Sequence, residues 1–436
     1  MITRGRHVFI YGIISFFLLI LLFYKADQTS RYPPITPVQT STSEESGFLE
    51  THENLKKRRS LEDVTKEIVV PKQIQLVETP LVPVEISLAQ NIQAPEKIRF
   101  KFLQTTKESK TTTSESPSVD NSCECISSRT RKSYDFCYRN PKNPSLIGKK
   151  FNCSYVSALE DLKLIDSSEQ SLVDMTKAER NEKDVIFVSA ISSNHFGNFK
   201  EMYATIKRHW PMQKMLLYSL DLSGSQIETL GKEPSVEIRK FDYSKYPEYV
   251  QNWAEYRFKA LLLAEAIKEY SNVWWIDSHF RWLQPKPLNQ FYGEIATCFG
   301  NVDCDKKSSV MMFVNSTHSN FAVLTEGLLD YFPTFGIDTL KYNDKGLQLS
   351  AAFVYLARTP FTLEMLKWHS LCALEEKCMK PPKAKLKCDI IPAWDVYAGC
   401  FRYDQSSINL LMFNSFRNHN HYFMDVGSIT RTYNHY

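Results

Sequence analysis

The sequence predicts an α/β fold in which helices flank a mostly parallel sheet. From about Lys183 onwards, short apolar runs rich in β-branched residues alternate with segments of helical periodicity. This alternation is typical of β-α-β units, whose successive strands run parallel. A charge-free stretch near the N-terminus and an even number of cysteines, ten, indicate that this domain belongs to a membrane-anchored protein in an oxidising compartment.

Four strands and three helices are predicted in this region. The strands are "DVIFVSAIS", "KMLLYSLDL", "SVEIRKFDY" and "NVWWIDS", and the first two helices are "NFKEMYATIKRHW", which ends at Pro211, and "SQIETLGK", which ends at Gly231. The third helix, "NWAEYRFKALLLAEAIKEY", is predicted to present one apolar face, formed by Trp253, Tyr256, Ala260, Leu263 and Ile267. The fourth strand ends at Asp277. Because ligands of such sheets bind beyond the carboxyl ends of the strands, we expect Asp277 to face a ligand or a metal.

The N-terminal segment is predicted to cross a membrane. Residues 8–24 carry no charge, and Arg4 and Arg6 precede them, so the positive-inside rule places residues 1–7 in the cytoplasm and the remainder in the lumen. A cleaved signal peptide is the alternative, but Lys25 follows without a small-x-small cleavage site. We therefore expect a single-pass type II membrane protein.

Three segments follow the anchor. Residues 25–120 are rich in proline, serine, threonine and mixed charge without a sustained apolar period, which predicts a disordered stem. A cysteine-bearing collar covers residues 121–180, and the α/β domain covers residues 181–436. The net charge of +4 on 436 residues is too small to indicate a nucleic-acid partner.

The ten cysteines favour disulfides over zinc, because no pair of C-x-x-C motifs is present. They fall into two groups that could each close on themselves, although the spacing does not reveal the connectivity. The groups are Cys123, Cys125, Cys137 and Cys153, and then Cys298, Cys304, Cys372, Cys378, Cys388 and Cys400. Asn152 and Asn315 begin glycosylation acceptor motifs that a lumenal domain could use.

The anchor, stem and lumenal α/β domain together resemble a Golgi glycosyltransferase of the GT-A fold. In that fold an Asp-x-Asp at a strand end holds the metal on the diphosphate of a sugar nucleotide, and the matching text here is "WWIDSH". The resemblance implies that Asp277 and His279 hold Mn²⁺ or Mg²⁺ in a Golgi or ER membrane protein. His279 replaces the second acid of the motif, and a histidine ligand suits Mn²⁺ better than Mg²⁺.

A second motif, "FRYDQSSINLLMFN", resembles the Asp-Gln-x-x-Leu-Asn element of glycogenin-like transferases. Asp404, Gln405, Ile408 and Asn409 match it at the same spacing. The resemblance implies that Asp404 and Gln405 orient or stabilise the transferring sugar, which makes them the candidate catalytic residues. It also assigns Asn409 to the donor site.

The remaining candidate donor contacts come from two earlier segments. Those enzymes place a basic residue in the helix before the metal strand, and Arg257 and Lys259 take that position here, where a cation offsets phosphate charge. Asp221, after the second strand, is a candidate contact for the nucleotide base or ribose. The segment "GLQLSAAFVYLARTP" resembles the GT-A strand that supplies small residues beneath the sugar, beginning at Gly346.

Each of these residues also has a simpler structural interpretation. Asp277 could cap a turn or pair with Arg281, Asp404 could be a helix N-cap, and the cations could be solvated on a helix surface. Trp274 and Trp275 are interpreted as core residues. Any of His419, His421 and His435 could be a further metal ligand, although the sequence pattern that surrounds the C-terminal histidine of glycogenin-like enzymes is missing.

The sequence is most similar to a nematode-expanded family of uncharacterised GT-A-like membrane proteins, in which "WIDS" recurs without a second acid. We expect a glycosyltransferase that moves a sugar from a nucleotide-diphosphate donor to a glycan or glycoprotein. The alternative is a GT-A-shaped pseudoenzyme that binds a glycan or a partner protein, which the missing second acid favours. A lumenal sulfotransferase ranks third, because "SAISSNHFGNF" contains no lysine or arginine before Lys200.

Overall fold

The computed structural model describes residues 123–166, 170–175, 185–283, 291, 308–425 and 429–431. The predicted cytoplasmic tail, membrane anchor and stem lie outside these residues. Within the described ranges, no helix has both the length and the apolar character that a membrane crossing requires.

The described strands and helices are numbered here in chain order. The strands are β1 Glu124–Ile126, β2 Ser133–Asp135, β3 Cys137–Asn140, β4 Asn143–Lys150, β5 Val185–Ile191, β6 Met215–Ser219, β7 Val236–Lys240, β8 Asn272–Ile276, β9 Phe280–Trp282, β10 Val310–Met312, β11 Asn315–Ser319, β12 Leu347–Leu349, β13 Phe353–Ala357 and β14 Ile429–Arg431. The helices are α1 Val156–Asp161, α2 Phe196–His209, α3 Gly224–Gly231, α4 Arg257–Glu269, α5 Glu326–Tyr331, α6 Pro360–Leu374, α7 Glu376–Met379 and α8 Asp404–Phe416.

A six-stranded sheet in the order β10-β13-β8-β5-β6-β7 forms the centre of the fold. The four strands predicted from the sequence are β5 to β8, and each pairs in parallel with its neighbour among them. Strand β13 enters antiparallel beside β8, and β10 is antiparallel to β13. The expected α/β fold with a mostly parallel sheet is therefore confirmed, and this topology is consistent with a GT-A-like fold.

The sheet separates two hydrophobic clusters. Trp275 packs with α4 and α6 in the larger cluster, whereas Trp274 packs in the other cluster among Phe291, Phe313 and Tyr355. Adjacent residues of a strand point to opposite faces, so the two tryptophans serve different cores. Their interpretation as core residues is confirmed.

Helix α4 begins later than the sequence predicts. Residues 253–255 form a 3₁₀ turn, and Tyr256 has a φ of 54°, in the left-handed region that interrupts a right-handed helix. The helix proper starts at Arg257. Trp253 and Tyr256 were expected on its apolar face, and that prediction is wrong because both precede the helix.

The cysteine-bearing segment forms two β-hairpins whose rings enter the core of the α/β domain. The hairpins pair β1 with β2 and β3 with β4. The ring of Tyr138 lies 5.4 Å from that of Trp368 on α6, and Phe151 stacks on Tyr331 at 4.8 Å. Gly148 allows this close packing, since a Cβ there would lie 2.0 Å from the Tyr331 carbonyl oxygen. Residues of this segment and of the α/β domain therefore share one hydrophobic cluster.

All eight cysteines in the described ranges form disulfides within the two predicted groups. The first group pairs Cys123 with Cys137 and Cys125 with Cys153. In the second group the pairs are Cys372–Cys378 and Cys388–Cys400. Cys298 and Cys304 lie outside the described residues. The preference for disulfides over zinc is confirmed for these eight.

We expect the double substitution Cys125→Ala with Cys153→Ala to lower the free energy of unfolding by about 3.5 kcal/mol. The reason is that the unfolded chain gains the conformational entropy of a loop that the disulfide closed across a separation of 28 residues. The matched double substitution Cys372→Ala with Cys378→Ala opens a loop with a sequence separation of only 6 residues and should lower the free energy of unfolding by about 2 kcal/mol. Guanidinium unfolding of both variants measures this difference. A larger loss from the second pair would contradict the entropic account.

Candidate functional site

A cavity of about 400 Å³ opens where three parallel strands of the central sheet end. Ser192 follows β5, Asp221 follows β6, and the turn from Asp277 to His279 follows β8, and all of them line this cavity. The carboxyl ends of parallel strands meet at one edge of a sheet, which is where ligands of such folds bind. The structure thus brings three of the predicted site residues, Asp221, Asp277 and His279, to one cavity.

The Asp277 carboxylate is held by two side-chain donors. The indole Nε1 of Trp275 donates to its Oδ1 at 2.7 Å, and the Nζ of Lys259 lies 3.1 Å from the same carboxylate. The Asp277 backbone N–H donates to the Ala352 carbonyl at 2.8 Å, which fixes the turn beside β13. Arg281 instead contacts Glu201 and the carbonyls of its own turn, so it is not the partner of Asp277.

Lys259 joins Asp277 to Asp404. Its Nζ lies 3.3 Å from Asp404 Oδ2 and 3.4 Å from the Ala351 carbonyl oxygen, and the residue is only 3% exposed. Burial by itself lowers the pKa of Lys259, but the two carboxylates outweigh burial and raise this pKa above its ordinary value. The buried ammonium therefore stays charged and brings the strand-end acid and the late Asp-Gln motif into one cluster.

Asp404 is the first residue of α8 and is buried. Burial raises its pKa above the ordinary value, the nearby Asp277 carboxylate adds to that rise, and Lys259 opposes it. A carboxylate in such a place costs free energy when ionised. Its position is therefore better explained by a role in the site than by a contribution to stability.

The Gln405 amide connects α8 to β12 and to the segment between β12 and β13. Its Oε1 accepts a hydrogen bond from the Ala351 N–H at 3.3 Å, and its Nε2 donates to Gln348 Oε1 at 2.6 Å. The same segment supplies the carbonyls that contact Lys259 and Asp277. Gln405 therefore fixes the backbone on which the charged cluster depends.

Asn409 bonds to β12 and not to the cavity. Its Oδ1 accepts from the Leu349 N–H at 2.9 Å, and its Nδ2 donates to the Leu349 carbonyl at 2.7 Å. These two hydrogen bonds satisfy the backbone N–H and C=O of Leu349 at a buried strand edge, as a neighbouring strand would. The expectation that Asn409 contacts the donor directly does not fit this placement, which holds α8 against the sheet instead.

Arg257 also points away from the cavity. Its guanidinium is fully buried, pairs with Glu255 at 2.6 Å and donates to the carbonyls of Ala373 and Glu376, each at 2.8 Å. It lies 4.7 Å from the Tyr249 ring centroid as well. Because these contacts occupy the guanidinium at the C-terminal end of α6, the expectation that Arg257 reaches a diphosphate does not fit, and Lys259 is the cation of the cluster.

Asp221 and His279 face the cavity from opposite sides of β5. Asp221 Oδ1 accepts the Ser193 N–H at 2.6 Å, which ties together the ends of β5 and β6. Asp221 also borders a second, open cavity of about 850 Å³ that continues past Trp253. His279 is half-buried, and its ring centroid lies 4.7 Å from that of Phe280.

The residues that line the cavity include ligand types that Mn²⁺ accepts. Asp277 offers a carboxylate that is 19% exposed, and His279 offers an imidazole in the same lining, an oxygen and nitrogen pair that Mn²⁺ accepts. Across the described ranges, the one group of three metal-type ligands within bonding distance of one another contains Cys123 and Cys137, which form a disulfide. A metal at Asp277 and His279 would therefore take further ligands from the bound molecule, from water or from outside the described residues.

The C-terminal histidines and Gly346 lie elsewhere. His419 is buried, and its backbone N–H donates to the Lys345 carbonyl. The His421 ring stacks on Phe416, and neither histidine lines the cavity. His435 lies outside the described residues. Gly346 does permit a close approach, but the neighbour is protein, since a Cβ there would lie 2.4 Å from the Leu340 carbonyl oxygen.

The contact between Trp275 and Asp277 was missed in the sequence, where Trp275 was assigned only to the core. The signal was present in the spacing, because residues i and i+2 of a strand point to the same face. A buried indole N–H also needs an acceptor, and the nearest strand-end carboxylate supplies one.

Comparison with known proteins gives one family match and several distant structural matches. Residues 123–264 match a family described as "Protein of unknown function (DUF1647)", a range that includes both hairpins and strands β5 to β7. No curated protein matches the chain.

Three solved structures illustrate the structural matches. The WbbM bifunctional glycosyltransferase matches with a TM-score of 0.33 and 12% identity over 59% of this chain and 40% of its own. The galactosyltransferase LgtC, in complex with donor and acceptor sugar analogues, matches with a TM-score of 0.31 and 10% identity over 57% of this chain and 87% of its own. Core-mannan synthase A (CmsA/Ktr4) from Aspergillus fumigatus, in an Mn/GDP form, matches with a TM-score of 0.33 and 9% identity over 62% of this chain and 82% of its own. This chain therefore spans well under half the length of WbbM.

We expect Asp404→Asn to leave the melting temperature at pH 7 unchanged or higher. Since the folded pKa of Asp404 is raised, the folded state binds this proton more tightly than the unfolded chain does, and native stability falls as pH rises through that range. The difference between variant and native protein should therefore shrink as the pH is lowered. Calorimetric melts from about pH 8 down to about pH 4 measure it.

The control for this substitution is Asp395→Asn, which removes an exposed carboxylate that pairs with no cation of the described residues and should change little. A fall of several degrees for Asp404→Asn at pH 7 would show that its pair with Lys259 stabilises the fold, contrary to our expectation.

Proposed function

We propose that this protein is a glycosyltransferase that moves a sugar from a nucleotide-diphosphate donor to a hydroxyl group of a glycan or glycoprotein in the Golgi lumen. The observation that carries the proposal is the charged cluster of Asp277, Lys259 and Asp404 beside a cavity at the carboxyl ends of three parallel strands. Such a cluster costs free energy to bury, and a binding or catalytic role explains why it is there.

The donor diphosphate would bind at the Asp277 end of the cavity. Asp277 and His279 would hold Mn²⁺, which when bound supplies positive charge to the departing diphosphate. Trp275 and Lys259 keep the Asp277 carboxylate oriented toward the cavity. Asp221, which lines the far side of the cavity, would contact the ribose or the base of the donor.

The transferring sugar would lie toward Asp404. In the reaction, the bond from the anomeric carbon to the diphosphate oxygen breaks and the electron pair leaves with the nucleotide. A new bond forms to the acceptor oxygen, whose proton is released to a base. In this proposal Asp404 orients the sugar, and Gln405 acts as a positioning residue through Ala351.

A pseudoenzyme that binds a glycan or a partner protein is the second candidate. The observation that favours it is that Lys259 already pairs with both Asp277 and Asp404 and offsets one of their two charges, while the second acid of the motif is replaced by His279. Carboxylates that already pair with a lysine bind a divalent metal more weakly than two carboxylates without a cationic partner.

Thermal unfolding with nucleotides tests the proposal, because a ligand that binds only the folded state raises the melting temperature. We expect one nucleoside diphosphate among UDP, GDP, CDP and ADP to raise the melting temperature of the full chain in the presence of Mn²⁺. Asp277→Ala should remove that shift, whereas Asp344→Ala, which alters an exposed acid elsewhere, should not. If no nucleotide or sugar nucleotide shifts the native protein, the transferase proposal is wrong and the pseudoenzyme remains.

The indole N–H of Trp275 provides a second test. We expect Trp275→Phe to weaken the binding of the nucleotide and Mn²⁺ by about tenfold, because Asp277 loses a charge-assisted hydrogen bond worth about 1.5 kcal/mol. Trp274→Phe is the matched control, since it makes the same change in the other core and should lower stability without changing affinity. Calorimetric titration of both variants measures the affinities. Equal losses of affinity would show that only packing matters.

A further inference from the structure

Exposed apolar side chains are concentrated in one segment that the candidate site does not use. The described part of the chain exposes thirteen large hydrophobic side chains, and five of them lie between Leu386 and Tyr397. The five are Leu386, Ile390, Ile391, Val396 and Tyr397. Single exposed apolar residues are ordinary, but five of them within one short segment indicate a candidate interaction site. We refer to residues 383–397 as the apolar loop.

The apolar loop is held in place through its backbone. The Cys388–Cys400 disulfide closes it, and the Asp389 N–H donates to the Ala398 carbonyl at 2.7 Å. The Ala398 N–H in turn donates to the Ala322 carbonyl, and the Ser319 N–H donates to that of Ala393. A backbone anchored to the body of the domain presents its side chains in a fixed arrangement. Binding to such a surface requires little further ordering of the loop.

The charges around these side chains are mainly positive. Lysines occur at positions 380, 383, 385 and 387, with no acidic residue among them. Lys380 pairs with Glu255 and Lys385 with Asp389, whereas no described residue pairs with Lys383 or Lys387. Asp395 is the remaining acid of the loop. Lys383 and Lys387 outnumber Asp395, so the charge without a described partner is positive and favours an acidic partner.

The loop leads directly into the charged cluster. The Phe401 N–H donates to the Lys385 carbonyl at 2.8 Å, and Asp404 follows three residues after Phe401. A polypeptide bound to the loop would lie beside the segment that leads to Asp404. The position of the loop therefore suits a polypeptide acceptor of the proposed transferase.

We propose that the apolar loop is a docking surface for an acidic polypeptide that carries apolar side chains, and that this polypeptide brings the acceptor to the site. The docking stands on the loop itself, while the acceptor role rests on the proposed transferase function. Apolar contacts supply the affinity, and Lys383 and Lys387 select acidic sequences.

Binding of a random copolymer of glutamate and tyrosine to the full chain tests the docking. We expect Ile390→Ser with Val396→Ser to weaken this binding by about tenfold, which corresponds to about 1.4 kcal/mol. The matched control is Ile126→Ser with Ile147→Ser, which changes two isoleucines that are 64% and 43% exposed on the hairpins, against 48% for each loop residue. Biolayer interferometry gives the affinities.

A charge variant tests the selection of acidic sequences. Lys383→Gln with Lys387→Gln should weaken copolymer binding and reduce its dependence on salt, whereas Lys163→Gln with Lys214→Gln removes two exposed lysines elsewhere and should not. A copolymer of lysine and tyrosine should bind poorly. Equal binding of both copolymers would overturn the claim for an acidic partner.

Other outcomes overturn the docking itself. The docking proposal is wrong if the native chain does not bind the glutamate copolymer, or if the hairpin control weakens copolymer binding as much as the loop variant does. It is also wrong if the chain binds phosphatidylserine vesicles in place of the copolymer. Nucleotide-induced thermal shifts on the same samples keep the two proposals separate. Copolymer binding without any nucleotide shift would retain the docking and reject the acceptor role, whereas the reverse would retain the transferase and reject the docking.

Discussion

The geometry of the candidate site depends on the Lys259 ammonium. It reaches Asp277 at the end of β8 and Asp404 at the start of α8, so one charge connects a helix, a strand end and the C-terminal helix. Without a cation between them, the partly exposed Asp277 carboxylate and the buried Asp404 carboxylate would repel each other. Trp275 and the Ala351 carbonyl complete the surroundings of this cluster.

The order of strands and helices could be predicted from the sequence because it follows from local periodicity. Buried parallel strands are short, apolar and β-branched, and the helices between them carry a recognisable apolar face. The start of α4 could not be predicted in this way. Tyr256 takes a left-handed backbone, and its ring contacts Phe258 and Tyr403. Contacts with a residue so far along the chain leave no local pattern.

The structure brings together only part of the set of site residues that the sequence indicates. An acid at the end of a buried strand is unusual enough to be noticed, and the sequence therefore indicated Asp277. The sequence could not distinguish Arg257 from Lys259, because both are cations in the same short stretch. Both are also buried in the structure. Residues two apart on a helix point about 200° from each other, so only one can face the cluster. Which one does depends on the packing of α6, a long-range contact. For the same reason, the bonds of Asn409 to Leu349 became visible only in the fold.

The two disulfide-bonded hairpins restrict where a shortened form of this protein could begin and still fold. Tyr138 and Phe151 fill space against Trp368 and Tyr331, so these rings complete the interior of the α/β domain. A truncation that began after Phe151 would remove both rings and expose the side chains of Trp368 and Tyr331 to water. A shortened chain that keeps these rings and both disulfides of the hairpins would therefore begin at or before Cys123.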